Sequence, residues 1–162
     1  MGANIENLTL TGKTVINGTG NALNNSLLGN AAANKLSGLA GNDILNGGLG
    51  KDSLTGGSGK DTFDFNTSLE IGKGASRDSI TDFTHKQDKI DLSGIDANSK
   101  KTGDQAFFTT YINSSAFHGK AGEIHLSKVI LSGDIDGKNG ADFEMSITLL
   151  GGVSLVVADF YL

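Results

Sequence analysis

The 162-residue chain contains no cysteine, no proline and no tryptophan. Without cysteine there is no disulfide, no thiolate metal site and no cysteine nucleophile. Without proline, its 24 glycines belong neither to a collagen-like repeat nor to a proline-rich linker. Long apolar runs are missing too: the longest, Leu149 to Ala158, is broken by Gly151, Gly152 and Ser154, so no membrane span is expected. The opening MGANIENLTLTGK lacks a basic and then apolar leader and is not read as a cleavable signal peptide; the chain is read as a piece of a longer protein. His85, His118 and His125 make no H-E-x-x-H, and there is no G-x-S-x-G, so no catalytic constellation is found. His125, between Ile124 and Leu126, is read as the outward residue of a strand.

Glutamate is scarce: 4 Glu stand against 14 Asp, and with 13 Lys and Arg the net charge is −5. A helical surface would favour Glu, because Asp and Gly are poor helix formers. Asp with Gly and Asn is instead a vocabulary of turns and of oxygen ligands for hard cations. Net acidity without a basic patch argues against nucleic acid as a partner. The hydrophobic share of 37% is enough for a core of about one domain.

What is present is a repeat. From Gly38 the chain reads GLAGNDILN, GGLGKDSLT, GGSGKDTFD, three consecutive units of nine. Position one is Gly38, Gly47 and Gly56, position six is Asp43, Asp52 and Asp61, and position eight is Leu45, Leu54 and Phe63. Two weaker units precede them, GNALNNSLL and GNAAANKLS, with Asn25 and Asn34 at position six. Glycines let the backbone enter positive-φ turns with carbonyls turned inward. The following residues are extended, with the eighth pointing to the interior, so each unit is one turn and one short strand. Two units complete a coil, which stacks Asp43 on Asp61 at one edge and Asn34 beside Asp52 at the other. Two carboxylates about 4 Å apart repel by about 4 kcal/mol at an effective dielectric of 20. Carbonyls of two stacked turns with those carboxylates form an oxygen cage suited to Ca²⁺, which couples folding to binding.

This triple repeat resembles the nonapeptide of RTX proteins. ENLTLTG and NGTGNALNN before it, and RDSITDF, QDKIDLSGIDA, GDIDGKNGADFE and ADFYL after it, resemble the C-terminal region of serralysin-type secreted proteins. The resemblance implies an all-β fold: a right-handed parallel β-roll with an N-terminal cap over 1–19, the roll over 20–65, and an antiparallel β-sandwich-like C-terminal cap over 66–162. It implies one calcium held by Gly38, Ala40 and Asp43 with Gly57, Gly59 and Asp61. A second would use Gly29, Ala31 and Asn34 with Gly48, Gly50 and Asp52, and a third Gly20, Ala22 and Asn25 with Leu39, Gly41 and Asp43. Glu70 and Asp78 are the acids that a following segment would lend to the roll's last turn.

GDIDGKNGADFE also invites an EF-hand reading, with Asp134, Asp136 and Asp142 at ligand positions one, three and nine. Lys138 at five, Asn139 at six and Met145 at twelve oppose it, and it is read as an acidic turn. In the cap, Phe107, Phe108, Tyr111, Ile112 and Phe117 are expected to pack a core, with GEIHLSKVILSGD, FEMSITLL and VSLVVADFYL as three strands. The function this implies is a non-enzymatic, calcium-dependent folding and type I secretion module, secreted to the extracellular space. It would follow an upstream catalytic or adhesive domain of a protease, lipase or polysaccharide-active enzyme. The alternatives are an accessory module for an anionic polysaccharide, like those of alginate epimerases, using Lys51, Lys60, Lys73 and Arg77, or a structural piece of an adhesin.

Overall fold

The computed structural model describes residues 1–108, 116–127, 129–152 and 154–162. The nine-residue rhythm becomes strands β1 (Asn7–Thr9), β2 (Gly18–Thr19), β3 (Ser26–Leu28), β4 (Lys35–Ala40), β5 (Ile44–Asn46), β6 (Ser53–Ser58) and β7 (Thr62–Asp64). Odd-numbered strands stack in one sheet and even-numbered strands in a second, all in parallel. Leu27 lies opposite Leu45, Leu36 opposite Leu54 and Leu45 opposite Phe63, so each coil takes two units. Position eight points inward, and Leu27, Leu36, Leu45, Leu54 and Phe63 are at most 1% exposed. Each such burial contributes roughly 2 kcal/mol, and together they form the spine of one core.

Close stacking needs glycine at particular turn positions. Gly57 and Gly59 have φ of 104° and 137°. A Cβ at either would sit 1.9 Å from a carbonyl oxygen of the coil below, Leu39 O or Gly41 O respectively. Leu39 itself occupies positive φ (83°) where later units place glycine, and leaves its side chain half exposed.

After β7 the short helix α1 (Ser68–Ile71) and a 3-10 turn at Gly74–Ser76 interrupt the rhythm, but the sheets do not end. β8 (Ser79–Thr84) pairs in parallel with β6, setting Ile80 opposite Leu54, and β9 (Lys89–Asp91) pairs with β7, setting Ile90 opposite Phe63. β10 (Glu123–Ser127) and β11 (Ile130–Asp134) form an antiparallel hairpin, and β11 pairs antiparallel with β12 (Phe143–Leu150). β12 returns parallel to β8, and β13 (Phe160–Tyr161) parallel to β9. Among the described residues the outcome is a six-stranded sheet, β1-β3-β5-β7-β9-β13, and a seven-stranded sheet, β10-β11-β12-β8-β6-β4-β2. No helix among the described residues is long and apolar enough to cross a membrane.

The parallel roll follows the expected pattern, and the region after it differs in detail. It adds strands to both roll sheets, and among the described residues antiparallel pairing is confined to β10, β11 and β12. GEIHLSKVILSGD is a hairpin of two strands rather than one, and VSLVVADFYL supplies only the two residues of β13 after a 3-10 turn. Asp159 is the reason for that turn: buried, it accepts from the backbone N–H of Val156 (2.7 Å) and Lys86 (3.2 Å) and lies 2.9 Å from His85 Nδ1. His125 does not face outward as expected but is buried, because Phe117 covers its ring at a centroid distance of 4.1 Å. Phe107 packs edge-on against Phe143 at 5.7 Å, as core aromatics should. Tyr111 and Ile112 lie outside the described residues.

Candidate metal centre

The turns between strands form two edges, and position six runs up each of them as a column. At one edge the backbone N–H of Asn25 donates to Asp43 Oδ1 (2.7 Å) and that of Asp43 to Asp61 Oδ1 (2.9 Å). At the other, Asn34 N–H donates to Asp52 Oδ1 (2.7 Å) and Asp52 N–H to Asp78 Oδ1 (2.6 Å). Each aspartate is thus held by the coil beneath it. Its second oxygen is not: Oδ2 of Asp43, Asp52, Asp61 and Asp78 is buried and accepts no hydrogen bond. Buried acceptors left without partners are rare, and anionic ones are the most unfavourable.

Three of these oxygens, on Asp43, Asp52 and Asp61, point at the first glycine of their own unit. A Cβ on Gly38 would lie 2.2 Å from Asp43 Oδ2 and 2.6 Å from Gly56 O. Cβ atoms on Gly47 and Gly56 would lie 2.5 Å and 2.3 Å from Asp52 Oδ2 and Asp61 Oδ2. Glycine keeps a small cradle open, lined by carboxylate and main-chain oxygens. Such a donor set fits a hard cation of calcium's size and coordination, and offers nothing to a soft metal.

Electrostatics agree. Burial pushes the Asp52 and Asp61 carboxyls up to about 6, against one backbone hydrogen bond each that favours the anion, and the nearby charges of Asp88, Asp43 and Asp82 add to the rise at Asp61. Asp78 is pushed up to about 8, first by burial and then by Asp52 and Glu70. Burial raises Asp43 as well. A divalent cation would reverse all of these shifts by favouring the anions.

The coil geometry brings the expected partners together. Leu39 pairs with Gly57 and Ala40 with Ser58, which stacks the turn of Gly38, Ala40 and Asp43 on that of Gly57, Gly59 and Asp61. A Cβ on Gly48 or Gly50 would meet Asn30 O at 2.6 Å or Ala32 O at 2.9 Å, so the turn of Gly29, Ala31 and Asn34 lies under that of Asp52. A Cβ on Gly41 would lie 2.4 Å from Leu23 O, placing Gly20, Ala22 and Asn25 beneath Leu39 and Asp43. The two Asn turns, however, are closed by their own hydrogen bonds. Asn25 Oδ1 accepts from Asn21 N–H and Asn34 Oδ1 from Asn30 N–H, both at 2.8 Å, while Asn34 Nδ2 donates to Ile16 O at 2.7 Å. No residue from 20 to 37 has a positive φ.

Above the repeats, Asp78 continues the second column, and Glu70 lies close enough to raise it; Glu70 Oε2 accepts from Asn66 N–H at 2.9 Å. Two acids escaped the sequence reading. Asp88 tops the first column, accepting from Asp61 N–H (3.0 Å) and Thr84 N–H (2.7 Å), and Asp82 accepts from Gly56 N–H (2.9 Å) and Gly57 N–H (2.8 Å). The signal for Asp88 was present: Asp88-Lys89-Ile90 has the same Asp, any residue, buried apolar order as Asp43-Ile44-Leu45.

The acidic loop of Asp134, Asp136 and Asp142 also gathers its carboxylates. Its own lysine neutralises it: Lys138 pairs with Asp136, holding that exposed carboxyl below its ordinary range. Asp134 Oδ1 is taken by the N–H groups of Asp136 (3.0 Å) and Gly137 (2.6 Å), and Asp142 Oδ2 by that of Ile135 (2.7 Å).

The comparisons with known proteins agree with this architecture. A subunit of the Azotobacter vinelandii mannuronan C5-epimerase, known from its solution structure, superimposes with a TM-score of 0.65. It shares 26% identity, over 99% of this chain and 86% of that one. Among curated proteins, none matches the sequence significantly. The family model described as Peptidase M10 serralysin C terminal matches residues 9–161, and the chain therefore belongs to the serralysin C-terminal family, with its RTX-type repeats folded as a β-roll.

Proposed function

We propose that this chain is a non-enzymatic module that folds on binding calcium and serves as the C-terminal folding and type I secretion domain of a larger secreted protein. The observation that carries the calcium reading is the set of four buried, unpartnered Oδ2 atoms on Asp43, Asp52, Asp61 and Asp78, stacked in two columns. Asp43 and Asp61, with carbonyls of Gly38, Ala40, Gly57 and Gly59, would hold one ion. Asp52, Asp78 and Glu70 would hold another. Sets that depend on Asn34 or Asn25 would be weaker, since those amides are already hydrogen-bonded within their own turns. A bound calcium supplies the positive charge that buried carboxylates need. The chain supplies the rest: hydrogen bonds orient each Oδ1, glycines keep the cradle open, and the apolar spine excludes water. With affinities near 10⁻⁴–10⁻³ M, as in extracellular modules, folding would wait until the chain has left the cell.

Treating the chain with a chelator and then restoring calcium tests this directly. Circular dichroism should show loss and recovery of β structure, with proteolysis appearing between Gly20 and Asp64, and Mg²⁺ should rescue poorly. Unchanged spectra and unchanged cleavage after exhaustive chelation would refute it. Export is tested separately by deleting Asp159 to Leu162 from a secreted fusion. Those residues are part of the fold, with Asp159 buried and Phe160 opposite Ile90, so they would be readable only before folding. Deletion should lower the secreted-to-cellular ratio, and unimpaired export would make the segment purely structural.

A second reading, an accessory module for an anionic polysaccharide, draws on the likeness to the mannuronan C5-epimerase subunit. The basic residues favour it little: Arg77 pairs with Glu144 (2.9 Å), Lys73 donates to Ala141 O, and Lys51 and Lys60 belong to turns at opposite edges. Titration of alginate into the calcium-loaded chain separates the two.

A further inference from the structure

Far from the calcium columns, at the edge strand β10 of the seven-stranded sheet, a different set of donors converges. Glu123 and His125 are successive same-face residues of β10, and His118 arrives from the segment just before it. One ligand atom from each lies within 4.8 Å of the other two. Glu123 is completely buried and His125 nearly so, while the His118 side chain is 43% exposed. We propose that His118, Glu123 and His125 form a binding site for a divalent transition-metal ion, with Zn²⁺ the expected occupant.

The carboxylate is set up for this. Its Oε2 is fixed by the backbone N–H of His118 at 2.6 Å and lies 3.4 Å from His125 Nε2. Its Oε1 is buried, accepts no hydrogen bond, and faces His118 Nδ1 at 3.7 Å. With metal–ligand bonds of about 2.0–2.1 Å, donors of a tetrahedral ion stand roughly 3.3 Å apart. The two imidazole–carboxylate separations lie within a few tenths of an ångström of that value, each to its own oxygen of Glu123, and the three donors lie within 4.8 Å of one another. Phe117 covers the His125 ring at a centroid distance of 4.1 Å and walls one side, while the half-exposed His118 gives an ion a path in from solvent.

The donor chemistry separates this place from the roll. Two imidazoles and one carboxylate suit Zn²⁺, Ni²⁺ or Co²⁺, whereas the columns offer only oxygen and suit calcium. An ion here would pin the chain at 117–118 onto β10 and would neutralise the buried Glu123 carboxylate. The site does not depend on the export reading, and it can be measured with the calcium sites already full.

The experiment is a Zn²⁺ titration of the 162-residue chain in millimolar calcium, with Co²⁺ as spectroscopic probe. One equivalent should bind, Co²⁺ should give the intense visible absorption of a four-coordinate complex, and ring ¹⁵N resonances of His118 and His125 should shift together while those of His85 stay put. His118→Ala removes a partly exposed ligand and should weaken binding by at least about tenfold, the lower range for disturbing a metal's ligand shell. Glu123→Gln should do the same. Absence of one-equivalent binding, or shifts that leave both histidines unmoved, would reduce the cluster to a histidine–glutamate ion pair only and overturn the proposal. The resonance measurement needs no variant, so a misfolded mutant cannot leave the question open.

Discussion

The turns at 20–37 and those at 38–61 share one nine-residue spacing but close in different ways. In the first pair an asparagine at position six and another at position two satisfy each other: Asn21 N–H donates to Asn25 Oδ1, and Asn25 Nδ2 donates back to Asn21 Oδ1 at 3.1 Å. In the later turns an aspartate at position six has two acceptor oxygens and no donor. One oxygen is taken by the coil beneath and the other is left buried. An amide carries both halves of a hydrogen-bonding pair, so it can complete a turn alone, whereas a carboxylate needs a cation or a proton. On the proposed calcium reading, the two kinds of turn are the metal-independent and metal-requiring versions of one coil.

The proton is the sharper way to break this comparison, and the effect should be the largest. Asp52 and Asp61 are raised from 3.8 to about 6 and Asp78 to about 8 by burial. A folded-state pKa above the unfolded one means the native state binds protons more tightly, so acid favours folding. The metal-free chain should be most stable near pH 4, lose stability as pH rises from about 4, and have lost this contribution by about 8. With saturating calcium the trend should reverse over the same window, because protons then compete with the ion. Thermal melts with chelator and with calcium, at intervals of pH, check both slopes.

Next come exchanges of aspartate for asparagine in the metal-requiring turns. Asp61→Asn and Asp78→Asn each remove a buried charge that the ion would contact directly. Losing a charged hydrogen-bond-like partner is worth about 1.5–3 kcal/mol, so the calcium midpoint should rise by roughly 10- to 100-fold. In chelator the same variants should be more stable than the parent, since no unpaired anion remains. Opposite signs under the two conditions, read from calcium-dependent circular dichroism and from chelated melts, would separate a metal ligand from a residue that only packs.

How much of this was legible beforehand follows from which interactions are periodic. The roll, its eighteen-residue register and its apolar spine were readable because Leu27, Leu36, Leu45, Leu54 and Phe63 recur at fixed spacing and each faces inward. The Asp columns were readable for the same reason. Asp88 was not, because α1 and the 3-10 turn move it out of phase: its coil returns after 27 residues instead of 18. The cap was harder still, since β13 depends on the buried Asp159 meeting His85 and Lys86 from a distant turn. The Asn units were read as weaker, but the exchanges linked to Asn at position six, also written in the chain, passed unread. Where Asn25 and Asn34 stand at position six, Asn21 and Asn30 stand at position two and Leu23 and Ala32 replace the glycine at position four.

That linked exchange yields a smaller, more discriminating prediction. If the side chain alone made a turn metal-requiring, Asn34→Asp would add a calcium ion. The backbone argues otherwise, because no residue from 20 to 37 adopts the positive φ seen at Gly48, Gly50, Gly57 and Gly59. Asn34→Asp should therefore add no equivalent of calcium by calorimetry. It should destabilise the chelated protein by about 1–3 kcal/mol, the range for leaving a buried polar group unsatisfied, here the carboxylate that would replace the buried Asn34 amide. Combining it with Asn30→Gly and Ala32→Gly restores the whole pattern and should add bound calcium.

The smallest effect is expected outside the roll, at Asp136. Its loop brings together three carboxylates, as many as any turn of the columns, and by acid count alone it would rank as a calcium site. Two features set it apart. Lys138 lies in the cluster, paired with Asp136 and raised by Asp136, Asp142 and Asp134 together, so a cation is already in place. The loop also spends several of its carboxylate oxygens on its own backbone, with Asp136 Oδ1 accepting from Lys138 N–H at 3.0 Å and Asp142 Oδ2 from Asp136 N–H at 3.1 Å, and leaves one buried oxygen, Asp134 Oδ2, without a partner. Exposed pairs of this kind contribute about 0–1 kcal/mol. Asp136→Asn should thus move the calcium midpoint by less than about threefold and leave the chelated melt nearly unchanged. A shift as large as that of Asp61→Asn would mean that the ion displaces Lys138, and that charge count outweighs the unpartnered oxygens in deciding where calcium binds.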